Sequence, residues 1–127
     1  MHRYGKGARS ERELIQIFSQ NGYSVIRAAG SGVNGLSPDI LVFRRGRQYA
    51  LECKAWNGGR IAIEPEKYEA LKQWQENTGI TTMIAWKVPY DNWYFLYLEE
   101  LERNERSYSI TKKRALEINR TLEEIKK

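Results

Sequence analysis

Pro38-Asp39-Ile40-Leu41-Val42-Phe43, Arg44-Arg45-Gly46-Arg47 and Gln48-Tyr49-Ala50-Leu51-Glu52-Cys53-Lys54 follow one another without a break. Two apolar runs rich in β-branched and aromatic residues flank a polar turn with one glycine, which predicts strand, turn, strand. Side chains alternate faces along a strand, so Glu52 and Lys54 point one way and Leu51 and Cys53 the other. Taking Arg45-Gly46 as a two-residue turn pairs Arg44 with Arg47 and sets Asp39 opposite Glu52. Opposed residues of an antiparallel pair share a face, with Cβ atoms roughly 5 Å apart. Two carboxylates and an ammonium are thereby expected on one surface.

Facing carboxylates repel one another, and a divalent cation between them relieves the repulsion. One or two carboxylates with several retained waters is a ligand set that magnesium accepts at a phosphate-processing site. Such an ion polarises a phosphoryl oxygen and acidifies a bound water. Lys54 is suited to orient that water and to stabilise charge on phosphorus. The ordinary alternative is an exposed Glu-x-Lys pair on a solvated strand, with Asp39 merely opening the strand after a proline turn.

The 127 residues are expected to form one domain with one core. A net charge of +5 fits nucleic-acid binding without requiring it. The single cysteine, Cys53, excludes an intrachain disulfide, suits a reducing cytosol and reads as a core residue. No apolar run is long enough to span a membrane, and no apolar signal core follows Met1-His2-Arg3-Tyr4-Gly5-Lys6, so a cytoplasmic location is expected. The lone His2 is too peripheral to serve as a general base.

Outward from the hairpin, a helix is predicted near Gly7 to Asn21 and a strand near Ser24 to Ala28. Pro65 starts a second helix that Gly79 ends, with Tyr68, Leu71 and Trp74 as its apolar stripe. Strands are predicted near Thr82 to Val88 and Trp93 to Leu98. A last single helix near Lys112 to Lys126 places Ala115, Ile118, Leu122 and Ile125 on one stripe. Strands alternating with helices make the fold class α/β. Aromatics clustered in the last hairpin (Trp86, Trp93, Tyr94, Phe95 and Tyr97) read as core and subunit contact rather than as base-stacking groups. The Lys112-Lys113-Arg114 run reads as a solvated face.

Advancing about 100° per residue, the first helix centres its stripe between Leu14 and Phe18, with Glu11 about 40° away. An acid so close to a core-facing stripe is costly unless paired or metal-bound. A capping box from Ser10 to Glu13 is the competing reading, with Glu11 favouring the positive helix end. The loop around Gly30-Ser31-Gly32 allows close approach to a phosphate, with Ser31 as a donor; by composition it equally reads as a plain connection.

Gly7-Ala8-Arg9-Ser10-Glu11-Arg12-Glu13-Leu14, Arg27-Ala28-Ala29-Gly30-Ser31-Gly32, Pro38-Asp39-Ile40 and Leu51-Glu52-Cys53-Lys54 occur in that order. Together they resemble the archaeal Holliday junction resolvases of the PD-(D/E)xK nuclease superfamily, over roughly residues 3 to 100. The resemblance implies a restriction-endonuclease-like mixed β-sheet flanked by helices; a single nuclease domain is expected over 1–127, with the tail, a C-terminal helical extension over 105–127, departing from the family pattern. It further implies a homodimer that binds four-way DNA junctions by shape and makes paired symmetric nicks with magnesium, or manganese in its place. Carried over by position, Glu11, Asp39 and Glu52 serve as metal ligands or their supports, Lys54 positions the attacking water, and Ser31 lies in the catalytic loop. Lys6, Arg12 and Arg27 match DNA-contacting positions. A restriction- or repair-type nuclease acting on linear duplex, and a non-catalytic DNA-binding module of the same fold, are the competing functions.

Overall fold

A computed structural model describes residues 2–28, 36–56 and 58–127, with side chains from Arg9 onward. The chain runs α1 (His2–Gln20), β1 (Ser24–Arg27), β2 (Ile40–Arg44), β3 (Arg47–Lys54), β4 (Arg60–Ile63), α2 (Pro65–Thr78), β5 (Thr81–Lys87) and β6 (Trp93–Tyr97). A 3-10 turn (Leu98–Glu100), β7 (Glu102–Arg103), β8 (Tyr108–Thr111), α3 (Lys112–Ile118) and α4 (Leu122–Ile125) complete it. The main sheet has the order β1-β2-β3-β5-β6 and a second sheet the order β4-β8-β7. In the main sheet β3 and β5 are parallel and the other pairs antiparallel, so the sheet is mixed.

The β2–β3 hairpin has the expected register, with Arg44 opposite Arg47 and Ile40 opposite Leu51. Arg45 and Gly46 both have positive φ, 49° and 89°. That is the requirement of a type I′ turn, whose twist matches that of the flanking strands. One step beyond the ladder, the Asp39 N–H donates to the Leu51 carbonyl at 2.9 Å, which holds Asp39 beside Glu52.

Alternation along the central strands divides the core in two. Ile84 and Trp86 of β5 and Tyr94 and Leu96 of β6 pack with Tyr68 and Leu71 of α2 and with Ile61, Ile63 and Ile110 of the second sheet. On the opposite face Leu51, Met83, Ala85, Trp93 and Phe95 pack with Leu14 and Phe18 of α1 and Ile125 of α4. Burial on both faces accounts for the unbroken apolar character of β5, as in strands covered on two sides. Cys53 belongs to the α1 side and is partly buried, as expected.

Three expectations are corrected. First, α1 begins at His2, so Ser10 lies within the helix and no capping box forms there; Glu13 instead pairs with Lys87 at 3.5 Å. Second, β4, β7 and β8 form a sheet that the apolar pattern did not announce, because they are two to four residues long. Third, the single last helix is two helices. Asn119, at φ 53°, caps α3 in the left-handed conformation and donates its N–H to the Ala115 carbonyl. The stripe serves different faces: Ala115 and Ile118 pack on the α2 side, Leu122 and Ile125 on the α1 side. A straight helix cannot reach both, so the chain breaks and crosses the β6 edge. There Phe95 N–H donates to the Arg120 carbonyl at 2.8 Å, and Arg120 Nη1 returns a bond to the Phe95 carbonyl at 3.0 Å.

Phe18 couples α1 to the sheet: it is fully buried and meets both Tyr23 and Phe95 edge to face. Phe18→Ala is expected to lower unfolding stability by about 3–5 kcal/mol, read as a fall in the urea midpoint with an unchanged denaturant slope.

Candidate active site

Leu51 belongs to the α1 face, so Glu52 and Lys54 project to the other face, toward α2. Glu52 stands beside Ile84 and Lys54 beside Trp86 in the parallel ladder, both partners being fully buried. Glu52 is itself only 7% exposed, an acid sunk into an apolar surface. Asp39 is pinned opposite it, one carboxylate oxygen accepting from the Cys53 N–H at 2.8 Å. A cleft of about 360 Å³ opens in front of them, lined by Leu36, Glu52, Lys54, Ile63, Glu66 and Lys67 among others.

Burial, and then the neighbouring Asp39 charge, push the Glu52 carboxyl up to about 7, against the pull of Lys67 and Lys54. Asp39 is raised as well, chiefly by burial, with the Cys53 N–H opposing and the Glu11 charge assisting the rise. Cys53 is driven up by burial and by the three surrounding carboxylates, so its thiol stays protonated. It is a poor nucleophile.

Lys67, on α2, is the group that the sequence reading missed. Its ammonium lies 3.4 Å from Glu52 Oε1 and donates to the Ser37 carbonyl at 2.9 Å. It ties α2 to the segment that leads into Asp39. The ion pair with Glu52 is longer than a charge-assisted hydrogen bond, and among the described residues no group makes a hydrogen bond to the buried Glu52 Oε1. Helical position alone does not mark Lys67, since Glu66 and Lys67 read together as a charged helix start. Only the packing of α2 against the sheet, on the β5 side of β3, brings it to Glu52.

The other expected site residues are placed as follows. Lys54 shares the cleft with Glu52. Glu11 approaches from α1, on the opposite face of the sheet, and is largely covered while forming a short ion pair with Arg27 Nε. Its charge reaches Asp39, but among the described residues no three acids, cysteines or histidines converge closely enough to hold one ion together. Arg12 is exposed on α1. Ser31 lies outside the described residues, as does the side chain of Lys6.

The donor set fits a hard divalent cation. Asp39 and Glu52 offer oxygen ligands, both carboxyls are raised even with Lys54 and Lys67 nearby, and among the described residues one buried Glu52 oxygen has no hydrogen-bond partner. A mixed sheet covered by helices on both faces, with an aspartate, a glutamate and a lysine at the ends of its central hairpin, defines a restriction-endonuclease-like fold.

A family model described as archaeal Holliday junction resolvase matches residues 2–127. The crossover junction endodeoxyribonuclease Hjc of Archaeoglobus fulgidus is 32% identical over 106 residues, 83% of this chain and 78% of that protein. The enzyme of the same name from Sulfolobus acidocaldarius is 33% identical over 103 residues, covering 79% and 71%. The solved structure of Archaeoglobus fulgidus Hjc, a Holliday junction resolvase, superposes with a TM-score of 0.76 at 28% identity over 85% of each chain. The chain belongs to the archaeal Holliday junction resolvase family.

The raised Glu52 carboxyl makes stability depend on pH in a defined direction. Between its ordinary value of 4.5 and its folded value of about 7, the folded state binds more protons than the unfolded one. Stability therefore falls as pH rises through that window, by about 3 kcal/mol in all. Urea midpoints in EDTA should drop between about pH 5 and about pH 8, and Glu52→Gln should remove most of the drop, leaving the smaller slope due to Asp39. Lys67→Met should move the fall to higher pH, because the ammonium favours the ionised Glu52.

Proposed function

We propose that this chain is a structure-selective, magnesium-dependent endonuclease that resolves four-way DNA junctions by paired symmetric nicks. The observation that carries the reading is the pairing of half-buried Asp39 with buried Glu52, with Lys54 on the same face of the central hairpin, in a member of the resolvase family. Two carboxylates that titrate high on their own are suited to a cation that supplies the missing positive charge. Magnesium, or manganese in its place, would be held by Asp39 and Glu52, and its chemistry is to polarise the phosphoryl group and acidify a water. Glu11 acts from the far side of the sheet as an electrostatic support for Asp39.

Lys54 orients the attacking water and faces the charge that develops on the phosphate. Lys67 favours the ionised form of Glu52 while its second contact, the Ser37 carbonyl, steadies the approach to Asp39. Ser31 belongs to the catalytic loop in this reading, and Lys6, Arg12 and Arg27 contact the DNA backbone. Two nicks related by symmetry require two such sites, so the active species is a homodimer whose axis coincides with that of the junction. A four-way DNA substrate agrees with the expected cytoplasmic location, and no helix among the described residues is long and apolar enough to cross a membrane.

The experiment is cleavage of an immobile four-way junction with magnesium, beside a linear duplex of matching sequence and an EDTA control. Paired nicks in the junction and an intact duplex are expected. Asp39→Asn and Glu52→Gln should abolish cleavage and leave junction binding in place. Lys54→Ala should slow it by roughly 10²–10³-fold. Equal cleavage of the duplex would discard junction selectivity, and binding without cleavage in either metal would reduce the protein to a DNA-binding module.

A further inference from the structure

Trp56 is the next residue after Lys54 on the Glu52 parity of the chain, just past the end of β3. Its indole is 52% exposed, whereas Trp86 and Trp93 are 0% and 3% exposed. Its backbone is anchored: Trp86 Nε1 donates to the Trp56 carbonyl at 3.3 Å. Gly58 lies directly against the indole, where a Cβ would stand 2.4 Å from Trp56 Nε1. Only glycine lets the ring lie on the backbone at that point.

Beside the indole is a cleft of about 310 Å³ lined by Lys54, Trp56, Arg60, Ile61 and Ala62. Among the described residues its wall carries two cations and no carboxylate, and it shares Lys54 and Ala62 with the cleft in front of Glu52. The two clefts thus form one groove, acidic and metal-binding in character at one end, aromatic and cationic at the other. Trp56 lies four positions beyond Glu52 and two past the end of β3.

We infer that Trp56, flanked by Lys54 and Arg60, stacks on a base exposed at the branch point while the neighbouring phosphate lies at the Glu52 end of the groove. The inference rests on the junction-nuclease reading and deepens it. A flat apolar ring between two cations matches a nucleotide, whose base offers a π-face and whose phosphate offers the charge. Inside a continuous duplex both faces of each base are already stacked on neighbours. At a branch point the terminal pairs of the arms are the ones with a face to offer, so the shelf favours branched over linear DNA without reading sequence.

The test uses the full chain, in EDTA so that nothing is cut, with four-way junctions carrying 2-aminopurine at successive positions beside the branch point. The wild-type protein should change the 2-aminopurine emission at one position next to the branch and leave unchanged a probe placed inside an arm. Trp56→Ala should lose that response and bind the junction roughly 5- to 150-fold more weakly, from about 1–3 kcal/mol per stacked base at about 1.4 kcal/mol per tenfold, with little change for linear duplex. Trp56→Phe should retain the response in part. Circular dichroism of both variants establishes that they fold. An unchanged response and affinity in Trp56→Ala, or equal losses on junction and duplex, would overturn the inference while leaving the nuclease reading intact. A wild-type protein that does not prefer the junction would remove both.

Discussion

An acid at position 52 has to be ionised to be useful, and it stands where ionisation is opposed. Its neighbours in the ladder are fully buried apolar residues, and its nearest partner across the hairpin is another acid. Burial and repulsion act in the same direction, and in the described structure only the two lysines act against them. The surrounding architecture follows from this conflict. The type I′ turn fixes the register that opposes the acids, the Cys53 N–H anchors Asp39, and α2 delivers a counter-charge from above. A solvated pair of acids on an open strand would need none of these supports.

The sheet is what makes the support rigid. Strand alternation sends Leu51, Met83 and Ala85 to one layer and Ile84 and Trp86 to the other, so β3 and β5 are clamped from both sides. The acids gain their geometry from strands, and the groups that tune them come from helices and loop ends. Lys67 reaches Glu52 from α2 and Glu11 biases Asp39 from α1, on opposite faces of the same sheet. The site is therefore sensitive to how both helices dock, and not only to the hairpin that carries the acids.

The hairpin was legible in the sequence because each of its constraints is local. An Arg-Gly turn of two residues fixes the pairing of Arg44 with Arg47, and strand parity then dictates which face Glu52 and Lys54 share. The limits of α2 were legible for the same reason, since Pro65 starts it and Gly79, at φ 73°, ends it. Tertiary contacts carry the rest. The stripe from Ala115 to Ile125 has true helical spacing, and only the need to serve two faces of the sheet breaks it at Asn119. Strands as short as β7 leave too few residues for alternation to register. Ser10 and Glu13 have the spacing of a cap, but the helix continues past them toward His2. Lys67 looks like any charged residue of an exposed helix start until α2 is packed against the sheet.

The crossing of the chain at Arg120 has a consequence for assembly. Arg120 exchanges hydrogen bonds with Phe95, pairs with Glu100 at 2.8 Å and lies 3.9 Å over the Tyr97 ring, so the outer margin of β6 is occupied by the chain's own backbone. A sheet with two open margins can be extended indefinitely by copies of itself, whereas one closed margin makes such growth self-limiting. Among the described residues β1 forms the other margin, four residues long. Sheet-to-sheet growth through that margin would stop after a single symmetric pairing, so the same bend that divides the terminal helix also biases the molecule toward closed assemblies over fibres.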